Sequence, residues 1–152
     1  KGRKRPLTDG DVLLVALGIG LGLYLFHRTG YSPGGIITPG FLAMELASPG
    51  RIAAAFGCAL AVAALLSLLV RGTGMSGRQR TGAAMLLALG LKVMLGDLFP
   101  AAPVWIGWVI PGLIGADMQR QGIIPTVAAA MASAFAASLA AALLLSISGV
   151  LP

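Results

Sequence analysis

The sequence predicts an all-α membrane protein of two tandem repeats, each made of a helix, a broken helix that is re-entrant or half-length, and a second helix. Three observations predict this fold: the scarcity of charge, the length of the apolar runs, and a pattern that recurs 72 residues later. Of 152 residues, 57% are hydrophobic and only 11% are charged, with a mean hydropathy of +0.92. Soluble domains carry roughly 25% charged residues. The chain therefore has too few charges to cover a surface that faces water.

The apolar runs are long enough to form membrane-spanning helices. Residues 52–70 and residues 121–152 contain no Lys, Arg, Asp or Glu. A helix needs about 20 apolar residues to cross the hydrocarbon core. A membrane β-barrel would instead show alternating segments of about ten residues, and this chain has unbroken runs of Ala, Leu and Gly. The runs predict outer helices over 12–28, 51–70, 82–99 and 122–147, with middle segments over 32–48 and 104–119.

The two middle segments share a distinctive layout. Pro39-Gly40 is followed by Glu45, and Pro111-Gly112 is followed by Asp117, so a shift of 72 residues aligns the two blocks without a gap. We interpret this as a duplicated unit, with repeats over about 10–72 and 82–147 and a basic link over 71–81. Both repeats belong to a single membrane domain, residues 1–152.

The number of crossings depends on the middle segments. If every segment crosses, the Lys and Arg residues outside the helices divide about evenly between the two sides of the membrane. If the Pro-Gly segments enter and leave by the same face, seven cations lie inside and three outside, which the positive-inside rule favours. This interpretation gives four full crossings, two re-entrant or half-length segments, and parallel repeats. The seven inner cations are Lys1, Arg3, Lys4, Arg5, Arg71, Arg78 and Arg80, and the outer three are Arg28, Arg51 and Arg120.

The Pro-Gly pairs are candidates for a central site. Proline lacks the N–H that a helix interior needs, and glycine tolerates unusual dihedral angles. In lipid, the freed backbone groups need a protein or water partner. Interrupted segments at matching positions in two halves are a pointer to a central binding site. We therefore select Pro39, Gly40, Pro111 and Gly112 as candidates for this central site. The alternative is that both pairs are simple kinks that help short helices to pack.

Ionisable residues at membrane depth are functional candidates because they are costly there. Lys92 and Asp97 lie within the fourth predicted spanning segment. Lys92 is nearer its middle and can reach a carboxylate on another segment, such as Glu45 or Asp117. The alternatives are that Asp97 lies at the membrane interface and that Glu45 and Asp117 cap the polar ends of their segments.

Several function classes are not supported. The net charge is +6, but the basic residues flank apolar runs instead of forming a stripe, so we expect no nucleic-acid binding. Cys58 is the single cysteine, and His27 has no second ligand at a suitable spacing, so we expect no metal site. No P-loop and no nucleophile–base arrangement is present. We predict that the chain has no catalytic residues and binds no cofactor itself.

Three stretches resemble one protein family. They are "GYSPGGIITPGFLA" (30–43), "SGRQRTGAAML" (76–86) and "VIPGLIGADMQRQGI" (109–123). They resemble the PgsC/CapC family, the small integral membrane subunits of bacterial poly-γ-glutamate synthase. The resemblance covers about 12–145, and its most specific part is the second Pro-Gly block with the Gln119 to Gly122 stretch that follows it.

The resemblance implies a role in making a capsule or slime polymer at the bacterial cell (inner) membrane. In that family, the membrane subunit works beside PgsB/CapB, a Mur-ligase-like ATP-dependent amide ligase, and a membrane-anchored PgsA/CapA-type subunit. ATP and Mg are expected on the ligase partner. This chain would anchor the ligase, with Arg71, Arg78 and Arg80 as docking candidates, and guide the polymer. The alternatives are a small secondary transporter or channel, and a purely structural anchor. Small residues in "AAAFGCALAVAA" (53–64) also allow homo-oligomers.

Overall fold

The computed structural model describes residues 9–95 and 109–147. All regular structure within these two ranges is helical, which confirms the all-α class. The helices in chain order are α1 (Asp9–Thr29), α2 (Thr38–Glu45), α3 (Pro49–Thr73), α4 (Arg78–Leu95), α5 (Val109–Gln121) and α6 (Ile123–Ile147).

Three of these helices are long and apolar enough to cross a membrane. They are α1, α3 and α6, with 21, 25 and 25 residues. At 1.5 Å per residue, such helices extend for about 30–38 Å, against a hydrocarbon core of about 30 Å. α4 has 18 residues and contains Arg78, Arg80 and Lys92, and it is not among the three candidate spans. The long apolar helices fit a membrane protein.

The two middle segments contain short helices. α2 has 8 residues and α5 has 13, so they extend for only about 12 Å and 20 Å. Over the residues that the structure describes, neither helix reaches across a hydrocarbon core of about 30 Å.

The bounds of α3 follow from its terminal residues. Pro49 occupies the first turn, where a missing N–H costs no hydrogen bond. The helix stops at Gly74, which adopts a left-handed conformation (φ 66°) and donates its N–H to the carbonyl of Val70 at 2.9 Å. Glycine is the usual residue for this helix ending because it has no Cβ. Four residues then lead directly into α4, so α3 and α4 form a helical hairpin.

The short helices pack between the long ones. α2 packs on α1 and α6 and, over a smaller contact, on α3, and α5 packs on α3, α4 and α6. α1 also packs on α6, and α3 on α4. Small residues line the interfaces between the helices, whereas many large apolar side chains are exposed on the outer faces. This distribution lets membrane helices approach one another closely. Buried examples are Ala59, Ala63, Ala130, Ala134 and Ala137, and exposed examples are Phe135, Leu139 and Leu143.

Candidate functional site

Each Pro-Gly pair lies at the start of a short helix. Pro39 is the second residue of α2, and Pro111 is the third residue of α5. Both prolines and the glycines that follow them are buried. The N–H groups of a first helical turn have no partner within the helix, so a proline there removes no hydrogen bond. Pro39-Gly40 therefore begins a helix of half length, and Pro111-Gly112 lies at the start of the part of α5 that the structure describes.

The two glycines allow the short helices to lie against their neighbours. A Cβ on Gly40 would lie 2.7 Å from the Cα of Val15 in α1. A Cβ on Gly112 would lie 3.1 Å from the carbonyl oxygen of Ala84 in α4. Real Cβ atoms essentially never approach other heavy atoms within 3.0 Å, so the contact at Gly40 needs glycine. The contact at Gly112 is tight but less restrictive.

The loop before α2 lies along α5. Gly34 has a φ of 86°, and a Cβ on it would lie 2.6 Å from Cγ1 of Ile114. The hydroxyl of Thr38 donates to the carbonyl of Gly34 at 2.5 Å and so closes the loop onto the start of α2. Leu42 and Ala43 of α2 belong to the same apolar core as Ile110, Ile114 and Met118 of α5. The two Pro-Gly helices thus contribute to one core.

A polar cluster fastens this loop at its other end. We call it the polar latch: Ser32, Asp117, Gln121 and Thr126. The N–H of Ser32 donates to Oε1 of Gln121 at 2.9 Å, and Nε2 of Gln121 donates to the carbonyl of Ser32 at 2.5 Å. The same Nε2 donates to the Thr126 hydroxyl oxygen at 2.9 Å. The Ser32 hydroxyl donates to the carboxylate of Asp117.

The polar latch joins three helix ends. Ser32 follows α1, whereas Asp117 and Gln121 belong to the last part of α5, and Thr126 lies in the first turn of α6. Asp117 also forms an ion pair with Arg120 at 3.2 Å, and its side chain is 15% exposed. Asp117 therefore ties α5 to the loop that follows α1 and does not cap the helix end, because a carboxylate cannot donate to the free carbonyls there.

Sequence reasoning did not identify the roles of Ser32, Gln121 and Thr126. Ser32 is separated from Asp117 and Gln121 by 85 and 89 residues, so no local periodicity relates them. The available signal was the polar stretch that ends with Gln121-Gly122, because it is the most specific part of the family resemblance.

Glu45 lies at the end of α2 and binds Arg51 in the first turns of α3. The Arg51 guanidinium lies 3.0 and 3.2 Å from the two carboxylate oxygens. Both side chains are accessible to solvent, and exposed ion pairs contribute little stability. This pair ties the α2–α3 connection and does not face the apolar core.

The remaining candidates are cations. Arg71 and Arg78 are exposed on the α3–α4 hairpin, and half-buried Arg80 donates to the carbonyl of Met75 at 3.2 Å. Lys92 is exposed on α4. It pairs with neither of the acids considered from sequence, since these bind arginines near them in the chain. Asp97 lies outside the described residues.

Within residues 9–95 and 109–147, no group of three or more His, Cys, Asp or Glu side chains could hold a metal ion.

Comparison with known proteins identifies relatives over most of the chain. The model of the family described as "Capsule biosynthesis CapC" matches residues 17–127. The "Capsule biosynthesis protein CapC" of Bacillus anthracis is 28% identical over 127 residues, which is 76% of this chain and 82% of the relative. The "PGA biosynthesis protein CapC" of Bacillus subtilis (strain 168) is 29% identical over 131 residues, 77% of this chain and 85% of the relative. No solved structure matches the chain significantly.

Proposed function

Because the chain belongs to the CapC capsule biosynthesis family, we propose that it is the membrane subunit of a complex that makes and exports a poly-γ-glutamate capsule or slime polymer. The match over residues 17–127 carries this proposal. The names of two relatives, with capsule biosynthesis in one and PGA biosynthesis in the other, support the polymer class. The long apolar helices support a multi-pass location in the bacterial inner membrane.

In this proposal, a partner subunit performs the amide-forming chemistry. A PgsB/CapB-type ligase binds ATP and Mg, activates a carboxylate and forms the amide, and a PgsA/CapA-type subunit links synthesis to export. The exposed guanidinium groups of Arg71 and Arg78 support a docking role for the α3–α4 hairpin, because a cluster of cations attracts an acidic protein surface or a polyanionic product. The seven-to-three distribution of cations supports an inner location for this hairpin.

We also propose that the chain contains two repeated units, and the pattern of burial supports this. The buried residues Thr38, Pro39, Gly40, Leu42 and Ala43 of α2 lie 72 positions before Ile110, Pro111, Gly112, Ile114 and Gly115, which are all buried in α5. The buried residues Ala55, Ala59, Val62, Ala63 and Leu66 of α3 lie 71 positions before Thr126, Ala130, Ser133, Ala134 and Ala137, which are all buried in α6.

The first helices of the two units fit a different offset. Gly18 and Gly22 are the buried residues of α1, and Ala84 and Ala88 are buried in α4, an offset of 66. The offset of 72 read from the sequence instead matches Gly18 with exposed Gly90. The offset is 66 between the first helices and 72 between the middle helices. Both values follow if the second unit has six more residues than the first unit between its first and middle helices.

The helix pairings agree with this repeat. Exchanging α1 with α4, α2 with α5 and α3 with α6 converts each packed pair into another packed pair. For example, α1–α2 becomes α4–α5, and α2–α6 becomes α5–α3. Each short helix then packs on the first helix of its own unit and on the last helix of the other unit. Polymer guidance is proposed for the region where the two units interlock, around Pro39-Gly40 and Pro111-Gly112.

Affinity capture of the chain from native membranes tests the proposed function. We expect an ATP-dependent ligase to be captured with it, and the captured mixture to make a glutamate polymer from glutamate and ATP. An Arg78→Gln substitution should reduce the amount of captured ligase, whereas the control Arg28→Gln, also an exposed arginine, should not. A chain that is captured without a ligase, and that moves a small solute by itself, would overturn the proposal in favour of a transporter.

A further inference from the structure

The segment between α1 and α2 is held against the rest of the fold by side chains. We call this segment the strap, residues 30–37. In the described ranges, its backbone shares no hydrogen bond with the backbone of α3, α4, α5 or α6. Two side chains of α5, Gln121 and Asp117, hold the strap through Ser32. Without these contacts, the strap would keep only close packing on α5, such as that between Gly34 and Ile114.

The strap can leave α5 without the unfolding of a helix, because none of its residues is helical. Gly30, at its junction with α1, has a φ of 75°, and a Cβ there would meet nothing within 4 Å. Glycine has the backbone freedom that a pivot requires. Ser32, Asp117 and Gln121 are each half-buried, so the contact between the strap and α5 lies near the surface of the described fold.

The side-chain amide of Gln121 recognises a specific pair of groups. Its Oε1 accepts from the N–H of Ser32 at 2.9 Å, and its Nε2 donates to the C=O of the same residue at 2.5 Å. Both groups are attached to one Cα. A γ-linked glutamate unit offers the same pair, since its Cα carries the N–H of the chain amide and the α-carboxylate. An ionised carboxylate is also a stronger acceptor than a neutral carbonyl.

Arg120 places a cation beside Gln121. Its guanidinium contacts Asp117 through Nη2 at 3.2 Å, and its side chain is 56% exposed. A guanidinium has five N–H donors, so Arg120 can bind the carboxylate of a ligand while it remains paired with Asp117. This pair also persists when Ser32 leaves, so the movement of the strap leaves the Asp117 carboxylate with a counter-charge.

We propose that the strap occupies a binding site for the polymer. In this site, a γ-linked glutamate unit displaces Ser32 from Gln121, and its α-carboxylate also binds Arg120. The strap then leaves α5 and uncovers the part of the apolar core that contains Ile114. Without polymer, Ser32 keeps the site closed. The class of ligand rests on the proposed function, whereas the site itself rests on the hydrogen bonds that Gln121 makes with one residue of the strap.

Binding of a short γ-linked glutamate oligomer tests the site. We would reconstitute the full chain in lipid nanodiscs and measure the fluorescence anisotropy of the labelled oligomer. Polyacrylate with the same number of carboxylates is the control ligand, because it carries the charge but has no amide N–H for Oε1 of Gln121. The oligomer should bind more tightly than polyacrylate. Equal binding of the two ligands, or no binding of the oligomer, would overturn the proposal.

Two substitutions in the polar latch should have opposite effects. Gln121→Ala removes both contacts with the ligand and should weaken oligomer binding about ten- to hundredfold, the effect of two hydrogen bonds. Ser32→Ala removes the hydroxyl that binds Asp117, so the strap competes less and oligomer binding should strengthen about three- to tenfold. The control Gln79→Ala, at an exposed position, should bind like the unsubstituted chain. If Ser32→Ala weakens binding or leaves it unchanged, the strap is not a competitor and the proposal fails.

Arg120→Gln provides a second test if Gln121→Ala does not remain monodisperse. Its exposed side chain makes a folding defect improbable, and oligomer binding should weaken about two- to fivefold, as for an exposed ion pair. Unchanged binding would refute the site. Capture of the ligase is scored separately. A chain that captures the ligase but binds no oligomer refutes the strap site alone, whereas a chain that binds the oligomer and captures no ligase refutes the proposed complex alone.

Discussion

The contact between α1 and α2 leads to a quantitative prediction for glycine substitutions. A Cβ on Gly18 would lie 2.3 Å from both the Cα and the backbone nitrogen of Gly40, and 3.0 Å from the carbonyl carbon of Pro39. Ordinary contact begins at about 3.4 Å, so a Gly18→Ala substitution requires α1 and α2 to separate by about 1.1 Å. All three contacted atoms belong to the backbone, so no side-chain rotation relieves the clash.

Gly20 provides a matched control in the same helix, because a Cβ there would meet nothing within 4 Å. Both Gly→Ala changes gain about 1 kcal/mol of helix propensity, which cancels when the two variants are compared. Overpacking costs about 1–3 kcal/mol. For a chain of this size, Gly18→Ala should therefore unfold roughly 2–12 °C below Gly20→Ala.

The measurement is the fraction of detergent-solubilised protein that remains monodisperse on size-exclusion chromatography after heating over a range of temperatures. Equal midpoints for Gly18→Ala and Gly20→Ala would refute the close approach of the two helix backbones. A lower midpoint for both variants, relative to the unsubstituted chain, would instead indicate that α1 tolerates no alanine on either face.

Three further predictions concern the latch, the ion pair and the topology. Gln121→Ala removes three hydrogen bonds of the polar latch and should lower the free energy of unfolding by about 1–3 kcal/mol. The measurement is the rate of proteolysis in the 30–37 loop, which should increase. The control Gln79→Ala, at an exposed position, should be cleaved as slowly as the unsubstituted chain. Glu45→Gln breaks a partly exposed ion pair and should change stability by only about 0–1 kcal/mol, so a large loss of thermal stability would contradict the geometry described. With four full crossings, a cysteine at Ala47 should react with a membrane-impermeant maleimide from outside the cell, and a cysteine at Thr73 only after permeabilisation; the reverse accessibility would indicate three crossings per unit.

The sequence predicted the helices better than their contacts. The apolar runs correctly predicted the long helices α1, α3 and α6, because run length is a local property. The fourth predicted spanning helix, 82–99, overlaps α4, which is not among the candidate spans in the described residues. Pro39 correctly marked the start of the short helix α2. The faces that become buried were not predicted. In α6, alanines such as Ala130 and Ala134 are inside and Leu139 is outside, so hydrophobic periodicity carries no signal and only side-chain size distinguishes the two faces.

The candidate site was predicted in part. Leu42 and Ala43, which follow Pro39-Gly40, share one apolar core with Ile110 and Ile114, which flank Pro111-Gly112, and the central site itself stays a prediction. The polar latch was not predicted because Ser32 and Gln121 are 89 residues apart, and a hydrogen bond across that separation depends on the completed fold. Lys92 was expected to approach a carboxylate, but both acids bind a nearby arginine at little cost in chain entropy.

The packing of the first helix on the last has a consequence for how the protein is made. During synthesis, α1 and α2 enter the membrane long before α6 exists, although both pack on α6 in the finished fold. Contacts between distant parts of a chain form late because they require a large loop to close. Until residues 123–147 are inserted, the inward faces of α1 and α2 remain exposed to lipid or to chaperones. A chain truncated before residue 123 therefore has first helices that lack their packing partner, so the stability of α1 and α2 depends on residues 123–147.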